Sequence, residues 1–456
     1  MFTIAEILDS TGGALLNGRL QLNQRVRGLS IDSRRINPGE LFIAIKGTRF
    51  DGHNFIKQAQ QKGAAAVLFS EDSGINRAGA AIKVKDTISA LAALAFRHRQ
   101  KFNIPVVAIT GSNGKTTTKE MVSFLLSAKF KVLSNQGTQN NHIGVPLTIL
   151  NLSAKHNCAV VEIGANHRGE IDRLSWILQP DVGIITNIGP AHLEFFKSLN
   201  GVFLAKLELV RNLKKSGKLI INKDDRFLAK FDSNKFKSFG FGLNRRADFF
   251  AEQIKQVKGQ THFLLNGKHR LILNALGAHN VYNALASIAC ARIFGISISQ
   301  IKQRLADFQP PPMRMQMLEV NKIKIINDCY NSNPGSLESA LEFLKGQSSP
   351  GRKVVICGDM LELGGLAAAL HTSIGKKIAK DEVDLLITVG ELAKNIASAA
   401  QAAGMSPDAI RACHNTAEAA DSLQRLINQG DTVLIKGSRG MQMENLVQCF
   451  INSSIH

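Results

Sequence analysis

Val106-Val107-Ala108-Ile109-Thr110-Gly111-Ser112-Asn113-Gly114-Lys115-Thr116-Thr117 is an apolar run that breaks at a glycine turn and ends in a lysine and two hydroxyls. A helix-forming stretch, Thr118 to Leu126, follows directly. Strand, tight turn and helix in this order make a phosphate cradle. Glycines let backbone N–H groups crowd around a polyphosphate and the helix N-terminus adds positive potential. Lys115 reaches the terminal phosphate oxygens, and Thr116 is placed to ligate magnesium. The loop is shorter than the general nucleotide-binding form, which carries a glycine where this chain has Ile109. The bland alternative, a glycine turn with a solvated lysine, does not account for the flanking strand and helix.

Outward from this loop, short apolar runs alternate with helical stretches: Cys158 to Ile163, Val182 to Thr186 and Leu219 to Ile221. Continuous apolar strands separated by helices predict a parallel sheet covered on both faces. Pro310-Pro311-Pro312 then interrupts the pattern and holds the chain extended. The pattern restarts with Ile323 to Asn327, Lys353 to Ile356, Leu385 to Val389 and Thr432 to Ile435, a second α/β unit of Rossmann-like character. A break near residues 98–105, before Pro105, separates the cradle from the chain before it. At ~150 residues per domain, the 456-residue chain predicts about three domains.

Composition narrows the class. The six cysteines are scattered, with no C-x-x-C pair, which fits a reducing compartment. Acids near the N-terminus argue against a signal peptide, and no apolar run approaches the ~20 residues that span a bilayer. A cytoplasmic protein without membrane insertion is expected. The net charge of +20 suits nucleic acid, an anionic surface or highly charged small substrates. With 6% aromatic residues and one tryptophan, the chain offers a poor stacking platform, so nucleic acid is not the expected partner.

Polar residues at strand ends are the first candidates for chemistry in open α/β sheets. Glu162 ends an apolar strand, and its carboxylate suits magnesium; the plain alternative is a glutamate facing water. His192 follows another strand and reads as a ligand or as an ordinary solvated histidine. Lys206 lies in an apolar helical stretch, where a lysine usually snorkels. Asp328 follows the strand ending at Asn327 and precedes Asn333-Pro334, a helix cap with proline at the first helical position. That pattern points Asp328 at a cleft between domains. Asn280 and Asn283 share one helix face after Gly277, suited to an adenine edge, although helix capping alone explains Asn280.

Taken together these motifs resemble the Mur ligase family. The likeness runs through Asp32-Ser33-Arg34, Gly39 to Ala44, Gly47 to His53, the cradle, Gln139 to Pro146, Glu162 to Asn166 and Ala191 to Glu194. It continues in Asp328 to Pro334, Gly358 to Gly364 and Lys436 to Gly440. The resemblance implies a three-domain α/β architecture, with a central P-loop-type parallel-sheet ATPase domain and a C-terminal Rossmann-like domain. Residues 1–100 would bind a UDP-linked substrate, 101–312 ATP, and 313–456 the incoming D-Ala-D-Ala. It also implies the reaction. ATP phosphorylates the terminal carboxylate of UDP-MurNAc-tripeptide, and D-Ala-D-Ala attacks the acyl phosphate, giving UDP-MurNAc-pentapeptide, ADP and phosphate for peptidoglycan.

By the same resemblance, Gly111, Ser112, Asn113, Gly114, Lys115, Thr116, Thr117, Asn280, Asn283, Arg314 and Asp328 bind ATP. Thr116 and Glu162 hold one Mg²⁺, and His192 with a carbamylated Lys206 holds a second; CO₂ turns the amine into an anionic oxygen ligand. Lys115, His192, Lys206 and Asp328 are the catalytic set. Ser33, Arg34, Lys46 and Gly47 resemble a uridine nucleotide site, and Asn140, Asn141, Asn331 and Asn333 contact substrate. A monomer is expected. Two departures stand out: Leu207 follows Lys206 where the family often has glycine, and Gly364 to Leu370 is unusually apolar, leaving His371 without a role.

Three other readings compete with this one. The ligase that adds the third amino acid carries an Asp-Asn-Pro-Arg motif that is absent here, and folylpolyglutamate synthase would lack the first region. A basic, nucleic-acid-dependent NTPase fits the cradle and the charge but none of the other motifs.

Overall fold

The run at 106–110 forms a central strand because both its faces are covered: Val106, Val107, Ala108 and Ile109 are fully buried. Continuous burial rather than alternation marks a parallel strand with helices on either side. The computed structural model describes residues 1–16, 22–48, 50–71, 80–232, 235–244 and 247–452; Arg49 of the quoted Gly47 to His53 turn lies outside them. Val106–Thr110 runs between Cys158–Glu162 and Val182–Ile185, parallel to both. From it the chain passes to Val132–Ser134 at the sheet edge, returns to Cys158–Glu162, then crosses to Val182–Ile185 on the opposite side. The strand order therefore reverses beside the glycine turn, and such a reversal opens the crevice in which doubly wound sheets bind ligands.

This sheet continues in parallel through Lys218–Asn222 and Lys237–Gly242 and then departs from expectation. Phe249–Val257 joins in parallel, but Gln260–Leu265 and His269–Leu273 follow as an antiparallel meander. Burial along Gln260–Leu265 alternates residue by residue, so only one face packs on the core. A sheet covered on both faces thus ends before the meander begins.

Among the described residues two further sheets of four or more strands complete the α/β architecture. Leu29–Ser30, Leu41–Ile43, Ala66–Phe69 and Ala80–Lys83 are parallel, with Ala14–Leu15 antiparallel at the edge. After the three prolines, Ile323–Asn327, Thr432–Lys436, Lys353–Gly358, Leu385–Val389 and Ile410–Cys413 form a Rossmann-like parallel sheet with Gln316–Val320 antiparallel at its edge. No helix among the described residues is long and apolar enough to cross a membrane.

The break read near 98–105 is a packed seam. The helix Thr87–Gln100 ends in His98 and Arg99, both buried. Arg99 donates to the carbonyls of Leu178 (3.1 Å), Phe102 (2.6 Å) and Ile104 (3.1 Å), and His98 Nε2 donates to Leu152 O at 2.9 Å. On the same helix, Phe96 stacks on Trp176 with ring centroids 4.2 Å apart. Because Trp176 is the single tryptophan, it reports this seam. Phe96→Ala is expected to cost about 1 kcal/mol of stability and to shift the emission of Trp176 to the red. Unchanged emission would mean that the stack does not form in solution.

Candidate active site

Two positions in the phosphate loop demand glycine. Gly111 has φ +145° and Gly114 φ +78°, and a Cβ would run into Thr186 at the first and the Asn283 amide at the second. The turn is braced from the neighbouring strand's exit: Asn113 N donates to Asn187 Oδ1 (2.9 Å), Thr186 Oγ1 to Asn113 O (2.6 Å) and Ser112 Oγ to Gly189 O (3.0 Å). The helix begins at Lys115, three residues earlier than the sequence suggests, which puts the lysine in its first turn. Lys115 Nζ folds back onto the loop, donating to Gly111 O (2.9 Å) and Ser112 O (3.1 Å). Burial lowers its pKa, against the opposing pull of Glu162. Thr117 is buried behind it, and Thr116 Oγ1 accepts from Arg314 at 2.9 Å.

Glu162 does not face water. It is buried, Oε1 accepts from Asn140 Nδ2 at 2.7 Å, and Oε2 has no hydrogen-bond partner. A buried carboxylate oxygen left unpaired is costly unless something outside the protein completes it. Lys206 does not snorkel either. In the helix Leu199–Leu207 it is buried, its ammonium 3.5 Å from Ala165 O and 5.3 Å above the Phe196 ring. Burial, together with the nearby Lys115 charge, pushes its pKa down to about 7.

His192 meets the same phenylalanine edge to face, its ring 6.4 Å from Phe196. Its backbone is left-handed, with φ +53°, and Nδ1 meets Glu362 Oε2 at 2.5 Å. Glu362 belongs to the C-terminal sheet's loop, and this contact lowers its carboxyl pKa. His371, without a role on sequence grounds, holds that loop. It is buried, Nε2 accepts from Met360 N at 3.0 Å and Nδ1 donates to Ala367 O at 2.7 Å.

Asn280 and Asn283 are buried in the first turns of Ala278–Ile293, where the Asn283 amide donates to Asn280 Oδ1 at 3.0 Å. Asn280 lies inside the helix rather than capping it, and its own amide donates back to Leu276 O. Asp328 pairs with the buried Lys436 at 2.5 Å and accepts from Met315 N. Arg314 lies over the Tyr330 ring at 4.1 Å, and Tyr330 donates to Thr138 Oγ1 at 2.6 Å. Asn333 caps Pro334–Lys345 as expected and also exchanges amide hydrogen bonds with Asn113 across the cleft. Asn331 Oδ1 accepts from Ser332 N and Arg439 N. Asn141 accepts from Ile143 N and Gly144 N, a turn-forming task.

Ser112 to Thr117, Asn140, Asn141, Glu162, His192, Asn280, Asn283, Arg314, Asp328, Asn331 and Asn333 line one cavity of about 1210 Å³ between the central and C-terminal sheets, with Glu362 and Lys436; Gly111, Lys206 and His371 do not. Ser33, Arg34, Lys46 and Gly47 are not among them and lie in loops that follow strands of the N-terminal sheet. Ser33 donates to Gln58, Arg34 pairs with Asp32, Lys46 with Glu71, and Gly47 N closes a turn onto Phe50 O. No cluster of three or more histidine, cysteine or acidic side chains that could hold a metal occurs among the described residues. A metal here would draw much of its shell from phosphate and water, as magnesium does.

No local pattern assigns a role to Glu362, to Lys436, or to Asn113 as partner of Asn333. Glu362 stood inside the quoted Gly358 to Gly364 motif, but its contact lies 170 residues away.

Comparisons with known proteins agree with this layout. Three family models match in order: "Mur ligase family, catalytic domain" over residues 25–100, "Mur ligase middle domain" over 109–291, and "Mur ligase, glutamate ligase domain" over 313–439. The chain is 36% identical to a UDP-N-acetylmuramoyl-tripeptide--D-alanyl-D-alanine ligase of Bacillus subtilis, over 99% of both chains. It is 35% identical to the Escherichia coli protein of that name, over 98% of this chain and 97% of the relative. A MurF structure from Acinetobacter baumannii superposes with a TM-score of 0.90 at 33% identity, over 99% of both chains. MurF from Thermotoga maritima in complex with ADP does so at 0.84 and 28%, over 93% of this chain and 97% of that one. With one phosphate loop facing a Rossmann-like sheet, and all three models and full-length relatives matching end to end, the chain belongs to the Mur ligase family.

Proposed function

We propose that this chain is an ATP-dependent ligase that joins D-alanyl-D-alanine to UDP-N-acetylmuramoyl-tripeptide in peptidoglycan precursor synthesis. The observation that carries the reading is the cavity in which Lys115, Glu162 and Asn283 of the central sheet meet Arg314, Asp328 and Glu362 of the C-terminal one. Identity over nearly the full length to relatives of that name supports the choice of substrates. Residues 1–100 would hold the uridine nucleotide, 101–312 ATP, and 313–456 the dipeptide.

The donor set fits magnesium at one place: Glu162 Oε2 is buried without a partner, and the Thr116 hydroxyl heads the adjacent helix. Thr116 and Glu162 would hold that ion. His192, whose Nε2 has no partner among the described residues, and a carbamylated Lys206 would hold a second. A lysine amine with a pKa of about 7 is neutral often enough at physiological pH to take up CO₂. When bound, the ions neutralise charge on the phosphates and the reacting carboxylate.

The chain's own groups do the rest. A carboxylate oxygen of the tripeptide attacks the γ-phosphorus and ADP leaves; the dipeptide's neutral amine then attacks the acyl carbon, phosphate leaves and the amine proton is lost. Lys115 turns from its loop carbonyls to the phosphate oxygens, stabilising charge where it moves. Arg314 releases Thr116 and finds its new acceptors in the polyphosphate. Asn280 and Asn283 face the base. The contacts of Asn113 with Asn333, Tyr330 with Thr138 and His192 with Glu362 hold the two sheets together over the cleft and keep water from the acyl phosphate.

The test is phosphate release from ATP with UDP-N-acetylmuramoyl-tripeptide, with and without D-alanyl-D-alanine. Stimulation by the dipeptide and its appearance in product are expected. Release that ignores the dipeptide, or responds to nucleic acid instead, would overturn the reading.

A further inference from the structure

A second cavity of about 490 Å³ opens beside the main cleft and shares His142 and Glu170 with it. Asp86 and Ile88, at the start of the helix Thr87–Gln100, form one wall; Arg168, Glu170 and Arg173 form the other. The pocket thus lies on the seam between the N-terminal and central sheets. Space beside Gly169 is open, with no atom within 4 Å of where a Cβ would stand.

Charges of both signs meet there. Arg168 is exposed, and neither it nor His142 has a hydrogen-bond or ionic partner among the described residues. Arg173 spends one guanidinium nitrogen on Ser89 Oγ at 2.8 Å. The acids are positioned by backbone amides: Asp86 accepts from Ile88 N and Ser89 N, and Glu170 from Asn166 N and His167 N. Two guanidiniums with open donors and two fixed carboxylates complement a ligand that carries a carboxylate and an ammonium together.

Resting on the proposed ligase reading, we infer that this pocket receives the side-chain end of the acceptor tripeptide's third residue and selects a zwitterionic end, as in diaminopimelate, over the lone ammonium of lysine. An acceptor running from the N-terminal sheet to Lys115 and Glu162 passes this seam, and its third residue is the one whose carboxyl group is activated. Asp86 and Glu170 serve the ammonium that both side chains carry. Arg168 serves the carboxylate that only diaminopimelate has. A charge-assisted hydrogen bond to a charged group corresponds to about ten- to a hundredfold in affinity.

The experiment compares two acceptors, one ending in diaminopimelate and one in lysine, by dipeptide-dependent phosphate release and by calorimetric titration without ATP. The native chain is expected to prefer the diaminopimelate acceptor by about tenfold or more in KM and Kd. Arg168→Ala is expected to abolish that preference by weakening the diaminopimelate acceptor alone, leaving kcat and the lysine acceptor as they were; Arg168→Lys recovers part of it. Equal use of both acceptors by the native chain, or an equal loss for both in Arg168→Ala, would overturn the inference while leaving the ligase reading intact. Absence of dipeptide-dependent release with either acceptor would remove the ligase reading and this inference with it.

Discussion

Lys115→Ala is expected to lower turnover by about a hundred- to a thousandfold, a loss of about 3–4 kcal/mol in transition-state stabilisation. The lysine starts the helix after the glycine turn, and its ammonium already lies within 3.1 Å of two loop carbonyls. Moving from those carbonyls to phosphate oxygens takes little reorganisation, which is why a preorganised charge is worth more than one recruited from solvent. The effect belongs in kcat, because charge shifts onto the bridging and leaving oxygens only as the phosphoryl group transfers. Among the described residues its hydrogen bonds go only to the two loop carbonyls, so the variant is expected to unfold close to the parent's temperature. Steady-state kinetics beside a thermal melt checks both halves. Near-normal turnover would remove Lys115 from the chemistry, and a collapsed melt would reassign it to structure.

At Lys206 activity and stability are expected to move in opposite directions. Lys206→Ala loses activity, and short carboxylic acids partly restore it by placing an oxygen ligand in the vacated space; full unassisted activity would sink the carbamate role. Lys206→Met instead raises the unfolding free energy by about 1–4 kcal/mol at pH 7 in CO₂-free buffer, because a buried amine with one distant acceptor gives way to an apolar chain of similar length. The pH dependence follows from the depressed pKa. Between about 7 and the usual 10.5 the unfolded chain binds a proton at this lysine that the folded chain does not. The native protein therefore gains stability as pH rises through that window and is level in this contribution below it. The advantage of Lys206→Met narrows accordingly from pH 7 to pH 10. Urea unfolding of both proteins at the two pH values reads the difference, and a constant gap would mean that the amine titrates normally.

The most legible parts were local. The cradle, the parallel strands around it and the Asn333-Pro334 cap each rest on neighbours within a few residues, and they stand in the structure with shifts of one to three residues at their ends. The antiparallel meander from Phe249 was legible but is missing from the sequence reading: Lys258-Gly259 and Asn266-Gly267, all at positive φ, are hairpin turns between runs of alternating burial. Lys119 carries no local signal. It is fully buried and donates to Asn135 O at 2.6 Å, fixing the segment that leads to Asn140.

Order of elements, family and the identity of the phosphate loop were determined by the sequence, since hydrophobic periodicity and glycine turns act over short stretches of chain. The state of each functional group was decided by tertiary structure alone. Glu162 keeps an open carboxylate oxygen because burial leaves Oε2 unpaired, and Lys206 has a depressed pKa because packing around it withdraws water. His192 is oriented by Glu362, and Asn113 by Asn333, across 170 and 220 residues of chain. Solvation and charge at a point depend on everything that folds around it, which no local pattern of residues records.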